Sequence, residues 1–244
     1  MTNLFILNHF NSLCYVCNIL RPEVINMKIS QTEENYLKAI YKLMKIQPKG
    51  VLTKSIGELL AIKSPTVSDM LKKLSDKKLI KYTKYKGVTL TKSGEKIALK
   101  VIRKHRLWET FLVERFEFKW DEVHDIAEQL EHVESPELVR RLDKYLDFPK
   151  FDPHGDPIPN EEGVFLQKHD LTLNQVNEKE EVIMVGVKDH SSQFLQYLDA
   201  SNLRLGTKIT VVEIIEYDNS YVVELESGGR LSLSDQVAKN LIVK

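Results

Sequence analysis

Two histidines and two glutamates lie close together in the segment 120–133, WDEVHDIAEQLEHV. On a helix that turns 100° per residue, these four side chains share an arc of about 100°; they are His124, Glu128, Glu131 and His132. An amphipathic helix normally carries leucine and valine on such an arc, because burying unpaired charge is costly. The spacing therefore predicts a metal site of carboxylate oxygens and imidazole nitrogens. The alternative is a solvated acidic face with two incidental histidines.

A second pair of ligand-type side chains, His105 and Glu109, lies upstream in a long helical pattern from about Ser93 to Phe118. The two residues are one turn apart and share a stripe with apolar residues such as Leu112. A lone histidine on such a stripe is more often a core residue. The glutamate one turn later, and the second cluster about 20 residues downstream, favour metal ligation instead.

The sequences KHRLWETFL (104–112) and VHDIAEQLEHV (123–133) resemble the diphtheria-toxin-repressor and manganese-transport-regulator family of metal-dependent bacterial repressors. The resemblance runs from about Met27 to the C-terminus. It implies a winged helix-turn-helix domain, a helical metal-binding and dimerisation domain, and a small SH3-like β-barrel. The expected fold is therefore a multidomain α+β chain with boundaries at 27–91, 92–148, a proline-rich linker at 149–169, and 170–244.

The resemblance also implies two metal sites in each chain. The first would use Asn35, Glu128, Glu131 and His132. The second would use His105, Glu109 and His124, joined either by His190 and Gln193 or by Asp152 and His154. Oxygen and nitrogen ligands without a thiolate suit Mn(II) or Fe(II).

Two positions bear on the choice of metal. Iron-type members of the family place a sulfur ligand where this chain has Glu128, whereas manganese-type members place a carboxylate, so Mn(II) is expected and Fe(II) is the alternative. Asn35 departs from the family, which usually has methionine or an acid there, and this leaves the affinity and selectivity of the first site open.

Charge is divided unevenly along the chain. Between Met27 and Arg106 there are 20 lysines and arginines against 6 acidic residues, and between Leu107 and Lys244 there are 14 against 28. A strongly basic segment suits a polyanion such as DNA, and an acidic one suits cations or a partner surface.

The basic segment has the pattern of a winged helix-turn-helix. Thr53–Leu60 predicts a short helix and 61–63 a turn, followed by a second helix with Ser64 as its N-cap and Pro65 at its first position. The lysine-rich stretch 81–91 predicts a β-hairpin lying along DNA phosphates. The residues expected to face DNA are Ser64, Pro65, Thr66, Ser68, Asp69, Lys72, Lys73, Lys84 and Lys86.

Other parts of the chain give simpler expectations. Glu33 and Glu34 are interpreted as first-turn acids favoured by the dipole of the first helix. Ser135-Pro136 predicts a helix to about Leu146, with apolar residues suited to a dimer interface. From about 170 onward, short β-prone runs at 181–187, 208–217, 221–226 and 230–234 predict the small barrel, interrupted by a short helix at 192–198.

Residues 1–26 lack a basic start and an unbroken apolar run, so a signal peptide is rejected and the segment is expected to be a dispensable or mis-assigned extension. Its Cys14 and Cys17 are the only cysteines, which suits a reducing, cytoplasmic setting. No stretch approaches the 20 or so apolar residues of a membrane helix.

The predicted function is a metal-responsive repressor that binds a palindromic double-stranded operator as a homodimer. One rival is a winged-helix regulator that answers an organic ligand or a redox signal. A metal-dependent hydrolase is rejected, because the sequence has no nucleophile motif, phosphate loop or H-E-x-x-H, and the basic segment would be unexplained.

Overall fold

The computed structural model describes residues 28–83, 86–165 and 169–244. The expectations for residues 1–26 and for Lys84 lie outside this part of the chain. None of the helices in the described ranges has both the length and the apolar character needed to span a membrane.

The N-terminal part is a three-helix unit with a two-stranded hairpin. Its elements are α1 (Gln31–Met44), α2 (Thr53–Leu60), α3 (Ser64–Asp76), β1 (Ile80–Thr83) and β2 (Gly87–Leu90). Val67, Leu71 and Leu74 bury one face of α3, and β1 pairs antiparallel with β2. This confirms the predicted helix-turn-helix and hairpin. One detail was wrong: Lys63 is the N-cap residue and Ser64 already lies within α3.

The turn between α2 and α3 depends on a close backbone approach. Ala61 adopts a left-handed conformation at φ 54° and ends α2. A Cβ atom on Gly57 would lie 2.7 Å from the carbonyl oxygen of Ile62, so only glycine allows the chain to turn this tightly.

Three helices follow: α4 (Lys92–Phe116), α5 (His124–Leu130) and α6 (Pro136–Tyr145). The predicted ligand helix over 120–133 is therefore too long. At its start, Trp120 turns away to donate a hydrogen bond to Asp199. At its end, Pro136 restricts Ser135 to an extended conformation, so the chain must leave the helix first.

The C-terminal part is a five-stranded antiparallel sheet with its own core. The strands are β3 (Glu181–Val187), β4 (Lys208–Ile215), β5 (Ser220–Leu225), β6 (Arg230–Leu233) and β7 (Leu241–Val243), in the order β6-β5-β4-β3-β7. Two helices, α7 (Ser192–Ala200) and α8 (Asp235–Asn240), and a 3₁₀ turn at Leu173–Gln175 accompany the sheet. β7 and α8 were not predicted, because their short runs carry no periodicity.

In its described residues, 149–165 and 169, the proline-rich segment after α6 forms no helix or long strand, yet it is fixed by specific contacts. Asp152, His154 and Ile158 are buried within it. Gly155, at φ +83°, lies so close to β3 that a Cβ atom there would sit 2.1 Å from the carbonyl oxygen of Val185. The Val187 amide also donates to the carbonyl oxygen of His154 at 2.9 Å. The segment is thereby fixed against the sheet.

Candidate metal centre

The fully buried carboxylate of Glu131 is the centre of the first cluster. Glu131 follows α5 directly and keeps helical angles of φ −62° and ψ −17°, so the angular relationship predicted from the sequence survives the shorter helix. Its Oε2 atom lies 2.7 Å from Nδ1 of His105 on α4, and its Oε1 atom lies 2.6 Å from Nζ of Lys38 on α1. One carboxylate therefore joins three segments of the chain.

Lys38 also reaches the second glutamate of the cluster. Its ammonium nitrogen lies 2.5 Å from Oε1 of Glu128, and only 7% of the lysine side chain is exposed. The ammonium group thus bridges two carboxylates in a buried position.

His132 is held by a residue of α1. Its Nδ1 atom lies 2.6 Å from Oε2 of Glu34 on α1, and its Nε2 atom lies 3.6 Å from Oε1 of Glu131. A carboxylate that accepts from one ring nitrogen fixes the tautomer and leaves the other nitrogen as a ligand. Glu34 also lies 3.7 Å from the ammonium group of Lys104.

Asn35, the departure from the family pattern, presents a buried Oδ1 atom without a hydrogen-bond partner. A buried acceptor left unsatisfied costs about 1–3 kcal/mol, which is a reason to expect a cationic partner there. A neutral amide oxygen, two carboxylates and an imidazole form a donor set that fits a hard or borderline divalent ion.

The remaining ligand candidates are connected to this cluster rather than separated from it. Single ligand atoms of His105, His124 and Glu128 lie within 4.8 Å of one another. Oε1 of Glu109 lies 2.9 Å from Nε2 of His105 and 3.3 Å from Nδ1 of His124. His105 thus contacts carboxylates of both predicted ligand groups, Glu131 of the first and Glu109 of the second.

A second, fully buried cluster consists of Glu109, Asp152 and His154, whose ligand atoms also lie within 4.8 Å of one another. The His154 ring stacks between Trp120 and His190, with centroid distances of 6.2 Å and 4.8 Å. Its Nε2 atom lies 2.8 Å from the carbonyl oxygen of Trp120, whereas its buried Nδ1 atom has no hydrogen-bond partner and lies 3.7 Å from Glu109. This arrangement presents Nδ1 to the two carboxylates, and it fits a divalent ion.

Burial and mutual contacts shift pKa values in this second cluster. Burial disfavours the charged form of His154, but the neighbouring Glu109 and Asp152 outweigh it and raise the pKa of His154 to about 9. Burial and nearby carboxylates raise the pKa of Asp152 to about 7. Burial likewise opposes the charge of Glu109, yet hydrogen bonds from His105 and His124, together with the nearby His154, hold the pKa of Glu109 well below its usual value.

The alternative ligands from the sheet domain fit less well. His190 stacks on His154, but its Nε2 atom lies 3.3 Å from the carbonyl oxygen of Val187. Burial lowers the pKa of His190, and the neighbouring Asp156 only partly offsets this. Gln193 is exposed on the first turn of α7. Of the two alternatives, the structure brings Asp152 and His154 to Glu109 and leaves Gln193 outside.

The residues expected to face DNA lie on an exposed surface. Those exposed on α3 are Ser64, Pro65, Thr66, Ser68, Asp69, Lys72 and Lys73, and Lys86 is exposed at the tip of the hairpin. Lys73 has a second contact, however, because its ammonium nitrogen lies 3.3 Å from the buried carboxylate of Glu33. Ser68 donates its hydroxyl hydrogen to the Ser64 carbonyl oxygen.

Comparison with known proteins agrees with this arrangement. The N-terminal DNA-binding domain of iron-dependent repressors matches residues 28–88, and the metal-binding and dimerisation domain of the same repressors matches residues 91–160. The FeoA domain matches residues 171–244. A manganese-dependent transcriptional repressor in complex with manganese is 33% identical, has a TM-score of 0.79, and is matched over 99% of its chain and 87% of this one.

The chain belongs to the diphtheria-toxin-repressor family. The diphtheria toxin repressor of Corynebacterium diphtheriae is 29% identical over 226 residues, which is 87% of this chain and 96% of that protein. The iron-dependent repressor IdeR of Mycobacterium bovis is 38% identical over 134 residues, and this match spans only 57% of IdeR and 54% of this chain. The resemblance and the fold class predicted from the sequence are both confirmed.

Within this family member, sequence reasoning missed two residues of α1 that contact the centre, Glu34 and Lys38. Glu34 was interpreted, like Glu33, only as a first-turn acid, yet Glu34 contacts His132, and Glu33 is buried against Lys73 and Lys77. Lys38 was not considered, although its i+3 spacing from Asn35 puts both on one face of the helix. That spacing was the signal available in the sequence.

Proposed function

We propose that this chain is a metal-dependent, DNA-binding transcriptional repressor that responds to Mn(II), with Fe(II) as the alternative ion. The ligands are oxygen and nitrogen atoms, and Glu128 supplies a carboxylate where a sulfur atom would favour iron. The relatives include both a manganese-dependent and an iron-dependent repressor, so the choice of Mn(II) rests on this ligand set.

The observation that carries the proposal is the position of α1 between the DNA-reading helix and the candidate ligands. On one side, Glu33 of α1 contacts Lys77, the C-cap residue of α3, at 2.7 Å. On the other side, Glu34 contacts His132 at 2.6 Å. The two contacts are made by adjacent residues of α1. A movement at the metal site that displaces α1 would therefore displace α3 as well.

In the proposed first site, Asn35, Glu128, Glu131 and His132 would hold the ion. In the second, Glu109, Asp152 and His154 would do so, with His105 and His124 between the two sites. A bound divalent ion would supply the positive charge that balances these buried carboxylates. The ion would bind only the arrangement in which α1 contacts the α5 segment. Ion binding would therefore shift the population toward that arrangement by mass action.

Dimerisation has a candidate surface in the helical domain. Phe116, Tyr145 and Phe148 are each 60–62% exposed, and the Phe116 and Tyr145 rings contact the half-buried Phe111. Exposed aromatic clusters of this kind mark protein interfaces. A second copy of the chain is the proposed occupant, because a two-fold protein is what reads a palindromic operator.

The test is a gel-shift series on the DNA upstream of the chain's own gene, with Mn(II), Fe(II), Zn(II) or a chelator. A shift with Mn(II) that disappears with the chelator supports the proposal. A stronger shift with Fe(II) would select the alternative ion. Equal binding with and without metal would overturn the proposal and favour a regulator that answers another signal.

A further inference from the structure

The first cluster already contains a cation supplied by the protein itself. The Lys38 ammonium nitrogen lies 2.5 Å from Glu128 and 2.6 Å from Glu131, which are two of the four ligands proposed for the first ion. Glu131 is fully buried and the Lys38 side chain is 7% exposed, so water screens these contacts poorly.

An ammonium group and a divalent ion cannot use the same carboxylate lone pairs at these distances. An ion that takes Oε1 of both glutamates must displace the ammonium group, and an ion that takes their other oxygens lies close beside it. The lysine side chain is tethered to α1 and stays close after displacement, so its charge continues to oppose the ion. Asn35 does not offset this, because its amide adds no negative charge.

We propose that Lys38 is a specificity-determining residue of the first site: a tethered cation that neutralises Glu128 and Glu131 in the metal-free protein and competes with the divalent ion. The residue thereby raises the metal concentration at which the site fills. This proposal rests on the proposed metal-binding function.

The decisive variant is Lys38→Met, which keeps an unbranched side chain of similar length and removes the charge. Hydrogen bonds to charged groups are worth about one to two powers of ten in an equilibrium constant, so Mn(II) should bind the variant about 10- to 100-fold more tightly. Affinity is measured by calorimetric competition with a chelator. Lys38→Arg keeps the charge and should bind Mn(II) no more tightly than the wild type.

A second readout does not depend on affinity. In chelator, Lys38→Met should melt at a lower temperature than the wild type, because the buried carboxylate of Glu131 and the partly buried carboxylate of Glu128 lose their cation. Mn(II) should raise the melting temperature by more in this variant than in the wild type. Lys49→Met removes a charge from an exposed lysine in the turn after α1 and serves as the control for net charge.

The outcomes separate the two proposals. Wild-type protein that binds no divalent ion would overturn both the proposed function and the role of Lys38. Wild-type protein that binds Mn(II), with Lys38→Met binding it equally or more weakly, would overturn the role of Lys38 alone. If Lys38→Met does not fold in chelator, Lys38→Gln takes its place with the same expected increase in affinity.

Discussion

Replacing Glu34 with glutamine tests whether α1 is coupled to the metal centre through His132. The variant keeps the shape of the side chain but removes the negative charge that faces Nδ1 of His132 at 2.6 Å. The two side chains are only 7% and 13% exposed, so the contact is a poorly screened, charge-assisted hydrogen bond. Such bonds contribute about 1.5–3 kcal/mol, and each 1.4 kcal/mol is a factor of ten.

Glu34→Gln should therefore weaken Mn(II) binding about 10- to 100-fold, the range found when outer-shell partners of ligating histidines are changed. Fluorescence anisotropy with labelled upstream DNA gives the corresponding functional readout. The Mn(II) concentration at half-maximal DNA binding should rise by the same factor. At saturating Mn(II), the affinity for DNA should return to within about threefold of the wild type, since the change acts through the site.

Glu213→Gln makes the same chemical change at an exposed position on β4 and should leave both measurements unaltered. If Glu34→Gln shifts the Mn(II) midpoint by less than about twofold, the contact with His132 contributes nothing to metal binding. Glu34 would then be what the sequence alone indicated, an acid at the start of a helix.

Three further substitutions and one proton-release measurement test other parts of the proposal. Glu131→Ala should abolish the metal dependence of DNA binding with the circular dichroism spectrum retained, and a variant that still responds to Mn(II) contradicts the assignment. Lys72→Ala should weaken binding to all DNA sequences alike and lower the slope of log affinity against log salt by about 1. Phe116→Asp should weaken the dimer about 100-fold or more in sedimentation equilibrium, because each copy loses an exposed aromatic ring that the proposed interface would bury. The pKa of His154 is raised to about 9 in the metal-free protein, so Mn(II) binding at about pH 8 should release a proton from His154. Calorimetry in buffers of different ionisation enthalpy measures this proton release. The number of protons released should fall as the pH rises through 9.

The sequence was sufficient for the elements that are set by local periodicity. Val67, Leu71 and Leu74 repeat at helical spacing, and the predicted buried face of α3 is the observed one. β3 was predicted at 181–187 and occupies those residues. The candidate metal ligands of α4 and of the segment 124–132 were predicted in the same way, because charged residues at core spacing are uncommon.

Contacts between distant segments could not be predicted in this way. Trp120 leaves the expected ligand helix to reach Asp199 in the sheet domain, 79 positions further along the chain. Lys38 and Glu131 are 93 positions apart, and the sequence pattern around each residue gives no indication of their contact. The approach of Gly155 to β3, which fixes His154, likewise exists only once the sheet has formed.

Adjacent side chains of α1 contact different partners, and under the proposed function this would determine how the metal site acts on DNA. Glu33 is 1% exposed and contacts Lys73 of α3 and the C-cap residue Lys77, so the buried carboxylate of Glu33 connects α1 to α3. Glu34, the next residue, is tied to His132 on the metal side. A helix of 14 residues does not bend easily between neighbouring positions, so α1 must move as a rigid body and carry α3 with it. Metal binding would then select the position of the whole reading unit rather than reshape the recognition helix, and the internal geometry of α3 should be the same with and without the ion.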